Sequence, residues 1–321
     1  MKYQTENYAS FLEEYEKYKG EPWLEYINQE PLEETLAAIK EAMDKGADYP
    51  MIPCFEIPYY KDATPEGWTR EDITTAEGLG IHAYYPDEKP ADDRVVFYVH
   101  GGGFMRGNEQ WNRQNAITLA LNLGLPTYCS KYRVVPENKY PAGLDDVENA
   151  WDYITENIGI APEKIILAGE SAGGNYIMAL ALRLKRKGKK LPGGLLCSSG
   201  ALDMAYTGAS YRYNIEIDPE FAGFDLKGFA DNYTDEEDRM QPEISPVYGD
   251  LAGLPKTFFC ADDMEIFVSD NIRAAKEMAD KGIEVKCCIS HKLIHAFIFE
   301  VYETAEAVEM LAKAKKFFEI A

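Results

Sequence analysis

The chain has 321 residues, 46% of them hydrophobic, which is enough for one large domain with an insertion or for two modest ones, and too apolar for disorder. Its formal net charge is −22, which argues against binding nucleic acid or docking on anionic membranes, since both rely on basic patches. The first residues lack the basic and apolar regions of a secretory leader, and no run approaches the roughly 18 apolar residues that cross a bilayer.

Residues 1 to about 45 are charged and aromatic, with helical spacing at Tyr8, Phe11, Leu12, Tyr15 and Tyr18, then at Leu32, Thr35, Leu36 and Ile39. They predict two amphipathic helices whose apolar faces other parts of the chain must cover. Residues 46–66, rich in Pro, Asp and Tyr, read as irregular connection. Strands then begin: 69–75 and 79–86 as a hairpin, followed by Arg94 to His100, a continuous apolar run of the kind buried on both faces. Helices are expected over 109–123, 143–157, 175–187, 270–282 and 300–320. Strands are expected over 126–132, 164–168, 194–198, 256–261 and 284–290. Such alternation predicts a mostly parallel sheet flanked by helices. Residues 203–244 interrupt it with Tyr206, Tyr211, Tyr213, Phe221, Phe224, Phe229 and Tyr233 among acids and glycines. That composition suggests a lid packed with the N-terminal helices.

Of the six cysteines (Cys54, Cys129, Cys197, Cys260, Cys287, Cys288), five fall in apolar strand-like runs and none forms C-x-x-C. Free buried thiols in a reducing cytosol are expected, with neither a disulfide framework nor a zinc site.

The chemistry centres on Gly169-Glu170-Ser171-Ala172-Gly173-Gly174, set between the run Lys164 to Ala168 and a helix-like segment. Alone, G-x-S-x-G also reads as an ordinary glycine-rich β–α turn. Between a strand and a helix it fits the nucleophile elbow of an α/β-hydrolase, where glycines at 169 and 173 allow a tight turn and the serine sits at a helix N-terminus. Such a serine needs a base, a group that orients the base, and donors for an oxyanion. His295, in the loop between the last strand and the last helix, is the candidate base. His291, four residues earlier at the strand end, is the fallback. The spacing His291-x-x-x-His295 is not the zinc pattern of a metalloprotease, because Lys292 stands where that pattern needs Glu. His100-Gly101-Gly102-Gly103-Phe104, ending a buried strand, leaves the amides of Gly101, Gly102 and Gly103 uncovered to act with that of Ala172. No G-K-[ST] follows, so a phosphate loop is not indicated, and His100 reads as an anchor of the loop. Asp262, Asp263, Glu265 and Asp270 all follow the strand that should carry the acid, and the residues alone do not choose among them.

Taken together, His100-Gly101-Gly102-Gly103, Tyr132-Arg133-Val134-Val135-Pro136-Glu137 with Tyr140-Pro141-Ala142, the serine motif, Ser245-Pro246 and Gly253-Leu254-Pro255 resemble the hormone-sensitive lipase-like branch of the α/β-hydrolases over about residues 80–321. Counting from Gly253 as that family does, the acid falls on Glu265, thirty residues before His295, in preference to Asp262 or Asp263. Three positions depart from the family: Lys131 replaces an aspartate, Asp262 replaces the glycine opening the acid turn, and Glu170 replaces the commoner aspartate.

The chain reads as N-terminal cap helices and connection over 1–66, a hydrolase core over 67–202 and 245–321, and a lid over 203–244, with a cytoplasmic location expected from its free thiols. The resemblance implies a serine carboxylic ester hydrolase with Ser171, Glu265 and His295 as catalytic residues. The substrate would be a small-molecule ester with a short acyl group, and neither cofactor nor metal would be required. A deacetylase or amidase would use the same residues. A non-catalytic binding relative would be expected to lack the serine or the histidine, and both are present.

Overall fold

A computed structural model describes residues 12–13, 16–47, 64–107 and 109–321. Nine strands form one sheet: β1 (Leu24–Tyr26), β2 (Trp68–Thr74), β3 (Gly80–Pro86), β4 (Val95–Val99), β5 (Thr127–Ser130), β6 (Ile165–Glu170), β7 (Gly194–Ser198), β8 (Thr257–Asp262) and β9 (Val285–Ser290). Their order across the sheet is β1-β9-β8-β7-β6-β4-β5-β3-β2. The strands from β1 to β5 in that order run parallel, while β3 pairs antiparallel with β5 and with β2, giving the expected opening hairpin.

The helices are α1 (Glu33–Ala47), α2 (Glu109–Leu123), α3 (Ala142–Asp152), α4 (Ala172–Arg186), α5 (Ala209–Tyr213), α6 (Leu226–Tyr233), α7 (Val268–Asp280), α8 (Phe297–Glu300) and α9 (Ala305–Phe317). Apolar strands arise because both faces of the sheet are covered. Alternate side chains Val95, Phe97 and Val99 pack with α3, α4 and α7, whereas Val96 and Tyr98 pack with α2, α8 and α9. The same alternation sends Ile165 and Leu167 to one side and Ile166 and Ala168 to the other. Each such aliphatic or aromatic side chain contributes about 1.5–3 kcal/mol on burial. The crossovers bring the C-terminal ends of β4, β6, β7 and β8 together at one edge, where ligands of such sheets bind.

The N-terminal region differs from the sequence expectation of helices and connection alone. Leu24–Tyr26 is a strand, paired in parallel with Cys287–Ile289. In α1, Thr35 and Ile39 are buried, and Thr35 Oγ1 donates to Glu306 Oε2 at 2.5 Å, but Leu32 and Leu36, expected on the same face, are exposed. Tyr8, Phe11, Tyr15 and residues 48–63 lie outside the described residues. The expected last helix, 300–320, is the shorter α9 (Ala305–Phe317), with the separate turn α8 just before it. The described cysteines, Cys129, Cys197, Cys260, Cys287 and Cys288, are buried free thiols.

Candidate active site

The β6–α4 turn holds Ser171 at φ +54°, a conformation L-residues rarely adopt, which persists because the surroundings fix it. Ser171 N donates to Ser198 O at 3.0 Å, and Ala201 N donates to Ser171 O at 3.1 Å. A Cβ on Gly169 would stand 2.5 Å from Gly173 O, and one on Gly173 would run into Val99 O. Both glycines are therefore demanded by close backbone approach, as the motif required. Helix α4 begins at Ala172 rather than Asn175, so its uncapped N-terminus lies directly against the serine. Asn175 Nδ2 pins this helix start by donating to Ala201 O at 2.7 Å and Ile244 O at 2.8 Å.

The His100–Phe104 loop lies against this turn. Gly102 and Gly103 have φ of +92° and +64°, and neither amide donates to an acceptor among the described residues. Gly101 is different. Its N–H donates to Glu170 Oε1 at 2.7 Å, so it is already used, and of the oxyanion donors expected from sequence only Gly102, Gly103 and Ala172 retain open amides. His100 anchors the loop: Nδ1 lies 2.8 Å from Gly101 O, and the ring stacks on Tyr132 with centroids 3.9 Å apart. Tyr132 Oη donates to His100 O at 2.8 Å and to Gly101 O at 3.0 Å. Burial pushes His100 down to about 4, so it is neutral.

The acid turn after β8 and the histidine turn after β9 interlock, and each acid has a distinct partner. Glu265 Oε2 lies 2.6 Å from His295 Nδ1. Asp262 accepts from Ser290 Oγ at 2.6 Å, Leu293 N at 2.9 Å and Met264 N at 3.0 Å. Asp263 takes His291 Nδ1 at 2.6 Å, together with Lys292 N and Tyr26 Oη. Asp270 accepts from Tyr211 Oη and from the amides of Leu202 and Asp203. The geometry thus gives Glu265 to His295 and gives His291 to a separate pair with Asp263.

His295 is 5% exposed, and its Nε2 has no hydrogen-bond partner among the described residues; no hydrogen bond joins it to Ser171. Burial disfavours a charge on either partner alone, pushing His295 down and Glu265 up, while hydrogen bonds from Ser199 and the Asp262 amide favour the carboxylate of Glu265. A neutral imidazole with an open Nε2 can accept a proton, and the carboxyl at Nδ1 fixes the tautomer.

Several contributors gave no signal in the sequence. Ser199 Oγ accepts from Ala296 N at 3.0 Å, tying the end of β7 to the histidine turn. Asn214 Nδ2 donates to Asp263 O and Glu265 O, both at 2.9 Å, and Asp218 accepts from Ile266 N at 2.8 Å, so the insertion clamps the acid turn. Phe221 meets the His295 ring edge-on at 5.0 Å, and Phe229 sits where a Cβ on Gly103 would be 2.7 Å away. The aromatic character of the insertion was legible, but which rings reach the site depends on its path. Among the described residues no group of three or more His, Cys, Asp or Glu is placed to hold a metal, and no helix is long and apolar enough to cross a membrane.

A serine elbow beside an open-amide loop, with an Asp/Glu–His pair from the following turns, on a mostly parallel sheet, defines the α/β-hydrolase class. The chain belongs to the alpha/beta hydrolase fold family, whose model matches residues 96–299, and within it to the hormone-sensitive lipase-like branch expected from the motifs. It is 32% identical over 196 residues to an esterase of Acinetobacter venetianus, covering 60% of this chain and 64% of that protein. It is 32% identical over 191 residues to an acetyl-hydrolase of Streptomyces hygroscopicus, covering 60% and 63%. The chain thus spans just under two thirds of the length of these two relatives. A solved hormone-sensitive lipase from a metagenome library superposes with a TM-score of 0.78 at 25% identity, over 89% of this chain and 98% of that one. A mutant of the esterase E40 superposes at 0.80 with 24% identity, over 90% and 98%, which speaks to fold alone.

Proposed function

We propose that the protein is a carboxylesterase-type serine hydrolase acting on small-molecule esters with short acyl groups. Ser171 Oγ attacks the ester carbonyl while His295 Nε2 takes its proton, and Glu265 holds Nδ1–H and stabilises the imidazolium that forms. The Gly102, Gly103 and Ala172 amides receive the oxyanion, helped by the N-terminus of α4. Collapse of the tetrahedral intermediate expels the alcohol, which takes the proton back from His295 and leaves the acyl group on Ser171. Water, deprotonated by His295, then releases the carboxylic acid and restores the serine. These steps need no cofactor.

The observation that carries this reading is the buried His295, held at Nδ1 by Glu265 at 2.6 Å with Nε2 open, in the same structure as a serine strained to φ +54°. The names esterase and acetyl-hydrolase borne by relatives support a small acyl group, as does Phe229 lying over Gly103. Residues 203–244 act as the lid, since Phe221 and Phe229 reach the site from them. The N-terminal segment joins this cap, since Lys17 and Tyr18 line a groove with Thr207, Gly208 and Ala209. Buried free thiols suit a reducing compartment, and the cytoplasm is the proposed location.

Turnover across p-nitrophenyl esters from acetate to dodecanoate tests the reading. A steep preference for acetate to hexanoate is expected. Preference for long chains would make the protein a lipase, and faster cleavage of a matched anilide than of its ester would make it an amidase.

A further inference from the structure

Glu170, beside Ser171, is fully buried, and the use of its two carboxyl oxygens is unequal. Oε1 accepts from Gly101 N at 2.7 Å and from Tyr98 Oη at 2.8 Å, with Asn115 Nδ2 at 3.4 Å. Asn115 Nδ2 also donates to Tyr98 Oη at 2.9 Å, which orients the tyrosine hydroxyl toward the carboxyl. Oε2 is buried with no hydrogen-bond partner among the described residues. Among the described residues, the ionisable groups that act on the carboxyl include Tyr98 of β4, Cys129 of β5, Tyr132 after β5 and Glu300 of α8, with neutral His100 next to Gly101. The backbones are tightly apposed here, since a Cβ on Gly101 would stand 2.8 Å from Glu170 O and 3.1 Å from Ser171 Cβ.

We propose that Glu170 is a positioning residue of the oxyanion loop and must carry its proton for the loop to work, so that turnover falls on the alkaline side when this carboxyl ionises. The inference rests on the esterase reading above. Through Gly101 N–H the carboxyl fixes the first residue of the loop and presents the next two amides to the substrate. A protonated acid has its hydroxyl at Oε2 and leaves Oε1 to accept. Ionised, the carboxyl sets an uncompensated charge in an apolar pocket directly behind donors whose task is to receive a developing anion, and opposes it. Burial pushes Glu170 up to about 8, against the hydrogen bonds from Gly101 and Tyr98, which lower it. The proton is therefore bound below about pH 8 and lost above it.

The test is the pH profile of kcat on a short p-nitrophenyl ester for the wild type, Glu170→Gln, Glu170→Ala and Tyr98→Phe. The wild type should lose roughly tenfold or more between pH 7 and pH 10, as one buried charge near the oxyanion would produce. Glu170→Gln keeps an acceptor for Gly101 N–H and cannot ionise, so its alkaline limb should disappear. Glu170→Ala should lose at least tenfold at every pH. Tyr98→Phe removes a hydrogen bond to the ionised form, so its limb should move to higher pH; this variant keeps the proposal testable should the Glu170 variants fail to fold. A wild type without an alkaline limb, a Glu170→Gln limb matching the wild type, or an unmoved Tyr98→Phe limb would each overturn the proposal. An active Ser171→Ala would instead sink the esterase reading, whatever Glu170 does.

Discussion

Glu265 Oε2 and His295 Nδ1 meet at 2.6 Å, and Asp263 Oδ2 and His291 Nδ1 meet at the same distance two residues and four residues earlier along the same two turns. The interlocked turns carry two acid–histidine pairs, which should separate under mutation. Glu265→Gln should lower kcat by about 10²–10⁴-fold, because the amide no longer stabilises the imidazolium. Asp263→Asn should leave kcat within about threefold and lower the melting temperature, as expected on weakening a buried network. Steady-state kinetics with thermal melts on both variants checks this. Equal loss of kcat in both would assign the acid wrongly.

That separation marks how far the sequence could be read. The long apolar strands and α7 were legible because burial on both sheet faces leaves a continuous apolar run, and helical spacing persists where packing is one-sided. The start of α4 was not: Gly173 and Gly174 are poor helix formers, tolerated because Gly173 must pass Val99 O and His100 closely and Gly174 must pass Gly200. Strand β1 was missed because three residues on a sheet edge carry no periodicity, and its partner β9 lies far along the chain. Choosing among Asp262, Asp263 and Glu265 needed a family spacing, since the distinguishing partners Ser290, Leu293, His291 and His295 are non-local. Glu170's hold on Gly101, and the resulting loss of that amide as a donor, were invisible for the same reason.

The low proton affinity of His295 sets an acid limb. With burial holding it near 4, the imidazole stays neutral through pH 6 and 5, so kcat/KM should persist there and fall as pH drops through about 4. Between 6.5 and 4 the unfolded chain takes up this proton and the folded chain does not, so this group also lowers stability as pH falls across that window. A kcat/KM profile from pH 3.5 to 7 checks it, and an acid limb centred at 6.5 or above would contradict it.

Phe229, 8% exposed, covers Gly103 and packs against Phe104 and Phe224. Phe229→Ala should destabilise the fold by about 3–5 kcal/mol through the cavity it leaves. It should also raise kcat/KM for octanoate relative to acetate by about tenfold, since removing bulk from a pocket shifts chain-length preference on this scale. An unchanged ratio would mean that Phe229 does not bound the acyl group.

The central claim is that Ser171 carries the acyl group, and mass spectrometry of protein quenched during turnover of p-nitrophenyl acetate tests it most directly. An acetyl adduct is expected on the peptide bearing Ser171, with neither adduct nor turnover in Ser171→Ala. Continued turnover by Ser171→Ala, or wild-type turnover at a substrate-saturated burst with the acetyl group on another residue, would contradict it.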